Sequence, residues 1–224
     1  MSGYLFFDRA KCSDSLVVKL VVVRVGIRRE TRGVRVELLK ERILKDGRVI
    51  GNDILKVDSF LNHQIDVDLL QKIGEEFFHR FDGRGINKIM TVEASGIGIA
   101  CMTAQYFSVP VVFAKKGNAR NIGDDLYQAE VYSFTKSQTY TVAVSKAYLG
   151  PQDTVLIVDD FLANGQAALG LVDILSQAGA SLAGVGIVIE KGFQKGSRLL
   201  RERGIEVQSL AIVDGFCDGK VILR

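Results

Sequence analysis

Residues 155–167 read Val-Leu-Ile-Val-Asp-Asp-Phe-Leu-Ala-Asn-Gly-Gln-Ala. The four apolar residues that begin this stretch follow Thr154, and they predict a strand, Thr154–Val158, that is buried on both faces. Two acids and a loop of small residues come next, and a helix is predicted from Gln166 to Ala178. A buried strand that runs through a glycine-containing loop into a helix is the building unit of α/β folds.

The loop between this strand and this helix has the properties of an anion-binding site. Backbone N–H groups at a helix N-terminus and the positive end of the helix dipole together hold phosphate, and Gly165 lets the backbone approach a ligand closely. Asp159 and Asp160 would be costly to bury without partners, but carboxylates accept hydrogen bonds from vicinal hydroxyls and attract Mg²⁺. The stretch therefore predicts a site for a phosphate and a diol, as in ribose 5-phosphate. The alternative is a capped turn that carries two surface acids.

Predicted helices and strands alternate along the rest of the chain from Val36. Further strands are predicted at Ile54–Val57, Ile86–Val92, Pro110–Ala114, Val131–Phe134, Gln138–Val144, Gly184–Ile189 and Ile205–Leu210, and further helices at Leu38–Leu44, Val67–Phe81, Ala100–Phe107 and Ser197–Arg203. Asp66 is the predicted N-cap of helix 67–81. The alternation indicates an α/β fold with a mainly parallel central sheet and helices on both faces. In such sheets, ligands bind beyond the carboxyl ends of the strands.

The composition is that of an ordinary globular protein whose core needs no metal or disulfide. The 224 residues are 47% hydrophobic and 25% charged, which suits one domain and allows two. Three widely spaced cysteines and two histidines form no metal-binding motif, and so few cysteines favour a reducing compartment. We therefore expect no metal site held by the protein alone, and a cytoplasmic location.

Residues 1–35 differ from the rest of the chain. They hold eight basic and three acidic residues, whereas the remainder holds 21 basic and 23 acidic residues. The body of the protein therefore has no basic stripe for nucleic acid, and the apolar run Leu16–Ile27 is too short and too charged to span a membrane. We expect residues 1–35 to form an N-terminal extension outside the domain, and residues 36–224 to form that domain. The extension has three interpretations: sequence translated upstream of the natural start, which we favour, an added strand or tail, and a targeting segment.

Four stretches of the sequence resemble the type I phosphoribosyltransferases, and within that family the xanthine-specific bacterial members. They are residues 155–167, with an apolar run, two acids and a glycine loop, and residues 55–64, 131–136 and 187–193. The resemblance extends from about Val36 nearly to the C-terminus. It implies the type I phosphoribosyltransferase fold with a small base-binding hood, and an enzyme that transfers the phosphoribosyl group of phosphoribosyl diphosphate to xanthine. It also implies a homodimer, and Mg²⁺ that is carried mainly by the diphosphate substrate.

The resemblance gives a role to each matching residue. Asp159 and Asp160 would face the ribose hydroxyls, directly or through water bound to Mg²⁺. The 5-phosphate would bind to the loop residues Ala163, Asn164, Gly165, Gln166 and Ala167. The base would contact Leu55, Asn62 and Lys191.

Two further segments match family elements that act on the diphosphate. Glu93–Gly96 lies where the family keeps a loop that meets this group. Lys115–Gln128 lies where the family has a mobile lid, and its cations are Lys115, Lys116 and Arg120. Closure of such a lid would bring these cations to the leaving diphosphate.

Two departures from the commonest family pattern concern the phosphate loop and the base. The usual loop is Thr-Gly-Gly-Thr, whereas residues 164–167 are Asn-Gly-Gln-Ala, so amide groups must replace the hydroxyl donors. Hypoxanthine–guanine enzymes carry an acid at the position of Ala163. Without this acid, either water takes the proton of the base or the substrate is acidic enough to bind partly ionised. Xanthine is the more acidic purine, and Lys191 would stabilise its anion. Ala163 and Lys191 together therefore favour xanthine.

Two other functions stay open at this stage. The first is a purine phosphoribosyltransferase that acts on guanine and hypoxanthine, or on adenine. The second is a non-catalytic regulator that senses phosphoribosyl diphosphate. Regulators of this fold bind DNA through an added winged helix, and residues 1–35 are too short and lack a helix-turn-helix pattern.

Overall fold

A computed structural model describes residues 32–51, 54–117, 125–133 and 137–224 of the chain. The helices are α1 (Arg32–Asp46), α2 (Val67–Phe81), α3 (Ser95–Phe107), α4 (Gln166–Ala178) and α5 (Gly196–Glu202). The strands are β1 (Arg48–Ile50), β2 (Ile54–Lys56), β3 (Lys88–Val92), β4 (Val111–Lys116), β5 (Leu126–Ser133), β6 (Gln138–Ser145), β7 (Thr154–Leu162), β8 (Ser181–Lys191), β9 (Val207–Cys217) and β10 (Lys220–Leu223). A π-helical turn covers Asp58–Asn62, and a 3₁₀ turn covers Lys146–Tyr148.

The central sheet has the strand order β10-β9-β8-β7-β3-β4-β6-β5 within the described residues. The five strands from β9 to β4 are mutually parallel, and the three outer strands pair antiparallel. The predicted mainly parallel sheet is thus confirmed, and the strands predicted at Val131–Phe134 and Gln138–Val144 overlap β5 and β6, which pair antiparallel. The β1–β2 hairpin forms a separate small sheet.

Two hydrophobic cores cover the two faces of the central sheet, as predicted. Alternate residues of β7 point to opposite sides: Leu156 belongs to one core and Ile157 to the other. Helices α1, α2 and α3 supply the first core, and α4 and α5 supply the second. This arrangement confirms helices on both faces and leaves the ends of the strands as the places where a ligand can enter.

Helices α2 and α4 begin and end where the sequence predicts. The Asp66 side chain caps α2 by accepting a hydrogen bond from the Leu69 backbone N–H at 3.1 Å. Helix α4 lies between two glycines with positive φ, Gly165 before it and Gly179 after it. Local sequence signals therefore fix the helix that follows the predicted phosphate loop.

Several elements differ from the prediction: β1 was not predicted, α1 and β5 begin earlier than expected, at Arg32 and Leu126, and β7, α3 and β10 differ as follows. Strand β7 continues to Leu162, so Asp159 and Asp160 lie inside the strand, because β8 goes on pairing with it as far as Glu190. Helix α3 begins five residues earlier than predicted, at Ser95. Strand β10 was not predicted, and it exists because β9 extends to Cys217 and offers it a partner.

The N-terminal prediction is only partly open to inspection. Residues 1–31 lie outside the described residues, and α1 begins at Arg32. That start lies four residues before the expected domain boundary at Val36, and the boundary stays a prediction. Of the helices that the structure describes, none has the length and apolar character that crossing a bilayer requires.

Candidate active site

The two acids of the strand-to-loop segment lie buried at the carboxyl end of β7. Asp159 is 7% exposed and Asp160 is 8% exposed. Asp159 Oδ1 accepts the Asp160 backbone N–H at 3.0 Å, and Asp160 Oδ1 accepts the Phe161 backbone N–H at 2.9 Å. These backbone bonds fix both carboxylates in place, which decides against the alternative of two surface acids on a capped turn.

Burial raises the pKa of the Asp159 carboxyl well above its ordinary value, and the adjacent Asp160 carboxylate raises it further. The positive charge of Lys116 acts on the same pKa in the opposite direction. Asp159 therefore favours a proton or a cation nearby. The donor set suits Mg²⁺, which binds carboxylate oxygens together with substrate phosphate oxygens and water.

Asn62 reaches the same pair of acids from a distant part of the chain. Its side-chain Nδ2 donates to Asp160 Oδ2 at 3.1 Å, although the two residues are 98 positions apart. Asn62 is the last residue of the π-helical turn, and the buried side chains of Phe60 and Leu61 anchor that turn in the core. The turn therefore lies over the carboxyl end of β7, which is where a hood would stand.

The other two residues predicted to bind the base lie in different surroundings. Lys191 is the last residue of β8, the strand beside β7, and its backbone carbonyl accepts the Gln194 N–H at 2.9 Å. This places Lys191 at the same edge of the sheet as the two acids. Leu55 lies in β2 opposite Val49 and belongs to the core, with 6% of its surface exposed.

The predicted phosphate loop makes a tight turn against the start of α5. Gly165 has φ +79°, a conformation that favours glycine. Gly196 donates its N–H to the Ala163 carbonyl at 3.0 Å. A Cβ atom on Gly196 would lie 2.4 Å from that carbonyl oxygen and 2.8 Å from the Gly165 nitrogen. The missing side chain at Gly196 thus allows the loop to adopt its shape, and the sequence reasoning did not identify this residue.

A cavity of about 210 Å³ opens in front of this loop. Its walls combine the carboxylate Asp159, part of β8, side chains from β5 and β6, and the whole predicted phosphate loop, Ala163, Asn164, Gly165, Gln166 and Ala167. A larger cavity of about 580 Å³ runs from the amino ends of β3 and β4 along β6. Because ligands of parallel sheets bind at carboxyl ends, we assign the candidate site to the smaller cavity.

Tyr140 is a second residue that the sequence reasoning missed. It lies in β6 and lines the cavity with Asp159. Burial raises the pKa of its phenol, and the charge of Asp159 adds to the effect. The alternation of side chains along β6 could have indicated that Tyr140 points inward, because it shares its side of the strand with Val142 and Val144, both of which lie in the second core.

The segment predicted to meet the diphosphate lies beside the acids. A Cβ atom on Gly96 would lie 1.9 Å from Thr91 Oγ1 and 3.0 Å from Asp159 Oδ1, so this glycine lets the loop approach the carboxylate. The Glu93 carboxylate accepts the Lys116 backbone N–H at 2.7 Å. The Glu93–Ala94 peptide bond is cis.

Only part of the predicted lid can be placed. Lys115 and Lys116 end strand β4, and Gly117 donates its backbone N–H to the Thr141 carbonyl at 2.9 Å. Residues 118–124, with Arg120, lie outside the described residues, as do residues 134–136 of one stretch that carries the family resemblance. The described site therefore unites the ends of β7, β8 and β4, the loop after β3 and the π-helical turn.

Comparison with known proteins agrees with this arrangement. The model of the phosphoribosyl transferase domain family matches residues 56–219. The xanthine phosphoribosyltransferase of Ruminiclostridium cellulolyticum is 63% identical over 185 residues, which are 83% of this chain and 97% of that protein. The xanthine phosphoribosyltransferase of Clostridium novyi is 60% identical over 84% of this chain and 99% of that protein.

Solved structures show the same fold at low sequence identity. The adenine phosphoribosyltransferase of Rhodothermus marinus superposes with a TM-score of 0.64 and 21% identity, over 80% of this chain and 98% of that chain. The enzyme of the same name from Saccharomyces cerevisiae gives a TM-score of 0.65 at 22% identity, over 79% and 98% of the two chains. The fold, the family match and the close relatives agree, and this chain belongs to the phosphoribosyltransferase family.

Proposed function

We propose that this protein is a xanthine phosphoribosyltransferase of purine salvage. It transfers the phosphoribosyl group of phosphoribosyl diphosphate to xanthine, with xanthosine 5′-monophosphate and diphosphate as products. The observation that carries the reaction class is the buried carboxylate pair of β7, which leads directly into a glycine loop at a helix N-terminus. The relatives named xanthine phosphoribosyltransferase, at about 60% identity over almost their whole length, support the choice of base.

The phosphoribosyl group of the donor would lie along β7 and the loop after it. The 5-phosphate would bind to the amide groups and the helix N-terminus of residues 163–167, in the cavity of about 210 Å³. Asp159 and Asp160 would accept hydrogen bonds from the ribose hydroxyls. Mg²⁺ would be carried mainly by the diphosphate, and the two acids would meet it through its bound water.

The base would lie between the π-helical turn and the end of β8. Asn62 offers an exposed amide there, and Lys191 brings a cation from the strand beside the acids. Leu55 would contribute the narrow exposed edge of a core side chain. Ala163 supplies no acid to the base, which suits a substrate that binds partly as an anion and whose charge Lys191 neutralises.

Catalysis would consist mainly of charge stabilisation and orientation. The bond from ribose C1 to the diphosphate breaks, and the base nitrogen bonds to C1 through a transition state that resembles an oxocarbenium ion. A base that binds as the anion has already lost its N–H proton, and a neutral base gives that proton to water. Asp159 and Asp160 hold the ribose in place for this displacement. Backbone amides of the Glu93–Gly96 loop and the ammonium of Lys116 stabilise the negative charge that develops on the leaving group. Bound Mg²⁺ supplies further neutralisation of the diphosphate charge.

We further propose a homodimer, a cytoplasmic location and small-molecule substrates. The family resemblance supports a homodimer, and the scarcity of cysteines supports a cytoplasmic, reducing location. The charge balance of residues 36–224, with 21 basic and 23 acidic residues, supports small-molecule substrates over nucleic acid.

Product formation from each base tests the proposal. The full chain is incubated with phosphoribosyl diphosphate, Mg²⁺ and equal concentrations of xanthine, guanine, hypoxanthine and adenine. We expect xanthine to be converted with the highest kcat/KM. Preference for another base would keep the reaction class and overturn the roles of Ala163 and Lys191. Donor binding without turnover of any base would favour a sensor of phosphoribosyl diphosphate.

A second chain that begins at Val36 tests the domain boundary in the same assay. Equal kcat/KM for both chains would support the proposal that residues 1–35 lie outside the domain. Loss of activity in the shorter chain would assign residues 32–35, which belong to helix α1, or the segment before them to the working domain.

A further inference from the structure

Tyr140 differs from the other site residues because it lies in one of the antiparallel strands of the sheet. It lies in β6 opposite Val131 of β5, and its side chain lines the cavity beside the phosphate loop. An aromatic side chain in a site for anionic groups needs an explanation, because a phenol contributes little charge of its own. The neighbours of its ring supply one.

The ammonium of Lys116 lies over the Tyr140 ring. Lys116 Nζ is 5.7 Å from the ring centroid, within the range of a cation–π interaction. The backbone of Lys116 is fixed independently, by its N–H bond to Glu93 at 2.7 Å and by pairing with Val142 of β6. Only the side chain of Lys116 stays flexible, and its ammonium lies over the Tyr140 ring.

Electrostatics connect both residues to the acid of the candidate site. The charge of Lys116 lowers the pKa of Asp159, against the effect of burial, and the charge of Asp159 raises the pKa of Tyr140. Each of the three groups therefore lies within Coulombic range of another. A tyrosine phenol is neutral at neutral pH, and burial raises the pKa of Tyr140 further, so its ring attracts the cation and adds no negative charge to the cavity.

We propose that Tyr140 is a positioning residue whose ring holds the Lys116 ammonium at the cavity, where this cation meets the anionic groups of the donor substrate. The inference rests on the proposed function for the identity of the donor, phosphoribosyl diphosphate. An unsupported lysine would spend much of its time in solvent, because its side chain has up to about 2 kcal/mol of rotamer freedom to lose on binding. The ring restricts that freedom before the donor arrives.

Four variants separate this role from a merely structural one: Tyr140→Phe, Tyr140→Leu, Lys116→Met and the double variant Tyr140→Leu/Lys116→Met. The first measurement is the Kd of phosphoribosyl diphosphate with Mg²⁺, by titration calorimetry. Tyr140→Phe keeps the ring and should stay within about twofold of the parent, while Tyr140→Leu should weaken binding by about threefold to tenfold. The double variant should bind no more weakly than Lys116→Met alone, because the ring then has no cation to hold.

Steady-state kinetics give a readout that general damage to the fold would not produce. Tyr140→Leu should raise KM for the donor and leave KM for the base close to that of the parent. A matched control is Tyr148→Leu, since Tyr148 is an exposed tyrosine of the 3₁₀ turn after β6 and lines the larger cavity at the amino ends of β3 and β4. Tyr148→Leu should leave the donor Kd unchanged.

Any one of three outcomes would overturn the inference. If Tyr140→Phe binds the donor as weakly as Tyr140→Leu, the hydroxyl contacts the ligand and the ring does not matter. If the losses of the two single variants add up in the double variant, Tyr140 and Lys116 act separately. Should Tyr140→Leu fail to fold, a fluorinated phenylalanine incorporated at position 140 keeps the shape and weakens the ring quadrupole. An unchanged donor Kd would then also overturn the inference.

These tests separate failure of the inference from failure of the proposed function. The donor Kd is measured without any base, so a protein that prefers a base other than xanthine leaves the inference intact. Conversion of xanthine with additive losses at Tyr140 and Lys116 would keep the function and remove the positioning role.

Discussion

The Asn62 side-chain amide donates a hydrogen bond to Asp160 Oδ2 at 3.1 Å. A residue that the sequence assigns to the base therefore holds an acid that it assigns to the ribose. With the Phe161 N–H on Oδ1, both oxygens of the Asp160 carboxylate have a donor. This bond connects the π-helical turn to the end of β7, so a change at Asn62 should affect the binding of both substrates.

Asn62→Asp should damage activity more than Asn62→Ala. A hydrogen bond to a charged group contributes about 1.5–3 kcal/mol, so Asn62→Ala should lower kcat/KM by roughly tenfold to a hundredfold. Asn62→Asp removes the donor and also places a third carboxylate beside Asp159 and Asp160. Steady-state kinetics with both substrates checks this order.

The control for Asn62 lies in the same turn. Asp58 begins the π-helical turn and forms an exposed salt bridge with Arg48 at 3.1 Å. Asp58→Asn should therefore leave kcat/KM within about twofold of the parent, as is usual for exposed ion pairs. Equal losses in Asp58→Asn and Asn62→Ala would mean that the turn, and not the bond to Asp160, matters.

Asp159→Asn should change how stability depends on pH. Because burial and the Asp160 charge raise the pKa of Asp159 in the folded protein, folding favours its protonated form. That contribution is fully present below the ordinary aspartate pKa and is lost as the pH rises through the raised value. The parent should therefore lose stability relative to Asp159→Asn as the pH rises from 4 towards 8, while the variant loses turnover.

Denaturant unfolding of the ligand-free protein across this pH range checks the prediction. Asp173→Asn serves as the control, since Asp173 is a largely exposed residue of α4 whose nearest cation, Arg203, lies 3.9 Å away. The unfolding free energy of Asp173→Asn should change with pH in the same way as that of the parent. Parallel curves for the parent and Asp159→Asn would contradict the raised pKa.

Alanine at Gly165 or Gly196 should weaken donor binding through the shape of the phosphate loop. Gly165→Ala places a Cβ 3.0 Å from the Gly196 Cα at φ +79°, and Gly196→Ala places one 2.4 Å from the Ala163 carbonyl oxygen. We expect each to raise the donor Kd by at least about tenfold, since displacement of a ligand-holding loop by about 1 Å costs roughly a hundredfold in rate. Titration calorimetry with phosphoribosyl diphosphate measures the effect.

Gly204→Ala separates backbone strain from loop displacement. Gly204 has φ +74° and no heavy atom within 4 Å of its ideal Cβ position, so alanine there meets only the left-handed strain of about 1–2 kcal/mol. The unfolding free energy should fall at least as much in Gly165→Ala, whose Cβ also meets the Gly196 Cα at 3.0 Å, as in Gly204→Ala, while only the former should lose donor affinity. Unchanged donor affinity in both would show that the loop tolerates the extra methyl group.

Glu206→Gln should lower stability at neutral pH and have no effect in strong acid. A side-chain hydrogen bond from Arg84 lowers the pKa of Glu206 from 4.5 to about 2, and a bond from Gln208 adds to this effect. The stability that this provides is present above pH 4.5 and is lost as the pH falls towards 2. Because the pair is partly solvent-exposed, we expect about 1 kcal/mol or less at pH 7.

Unfolding midpoints at pH 7 and pH 2.5, at low and high salt, check this second pH effect. Screening should reduce the difference between the parent and Glu206→Gln at pH 7. A difference of the same size at pH 2.5 would contradict the lowered pKa. The pH dependences of Asp159→Asn and Glu206→Gln, each relative to the parent, have opposite signs, so the two groups can be distinguished in one series.

Much of the fold follows from local sequence. Helix α2 was predictable because Asp66 caps it and its apolar residues recur at helical spacing. Helix α4 was predictable because a glycine with positive φ stands at each end. The apolar residues of β7 have no such alternation to interpret, yet their number and the flanking loop sufficed to predict a buried strand.

What the sequence did not predict depends on distant partners. The end of β7 is set by its register with β8, which keeps pairing past the two acids. Asn62 and Asp160 are 98 positions apart, and no local pattern connects them. Gly196 and Tyr140 were missed because their meaning lies in what they face across space, namely the Ala163 carbonyl and the Lys116 ammonium.

The five parallel strands all point the same way, so their carboxyl ends lie on one side of the molecule, with the candidate site, and their amino ends lie on the opposite side. Four segments of the candidate site lie at the carboxyl ends of β3, β4, β7 and β8, whereas the turns that lead into β3 and β9 lie at amino ends. Gly83 and Gly85 in the first turn and Gly204 in the second have open space around them. Exposed turns of this kind accept inserted peptides. An affinity tag, a fluorescent reporter or a whole domain can therefore be inserted in the turns before β3 and β9, while turnover continues at the carboxyl ends of the strands.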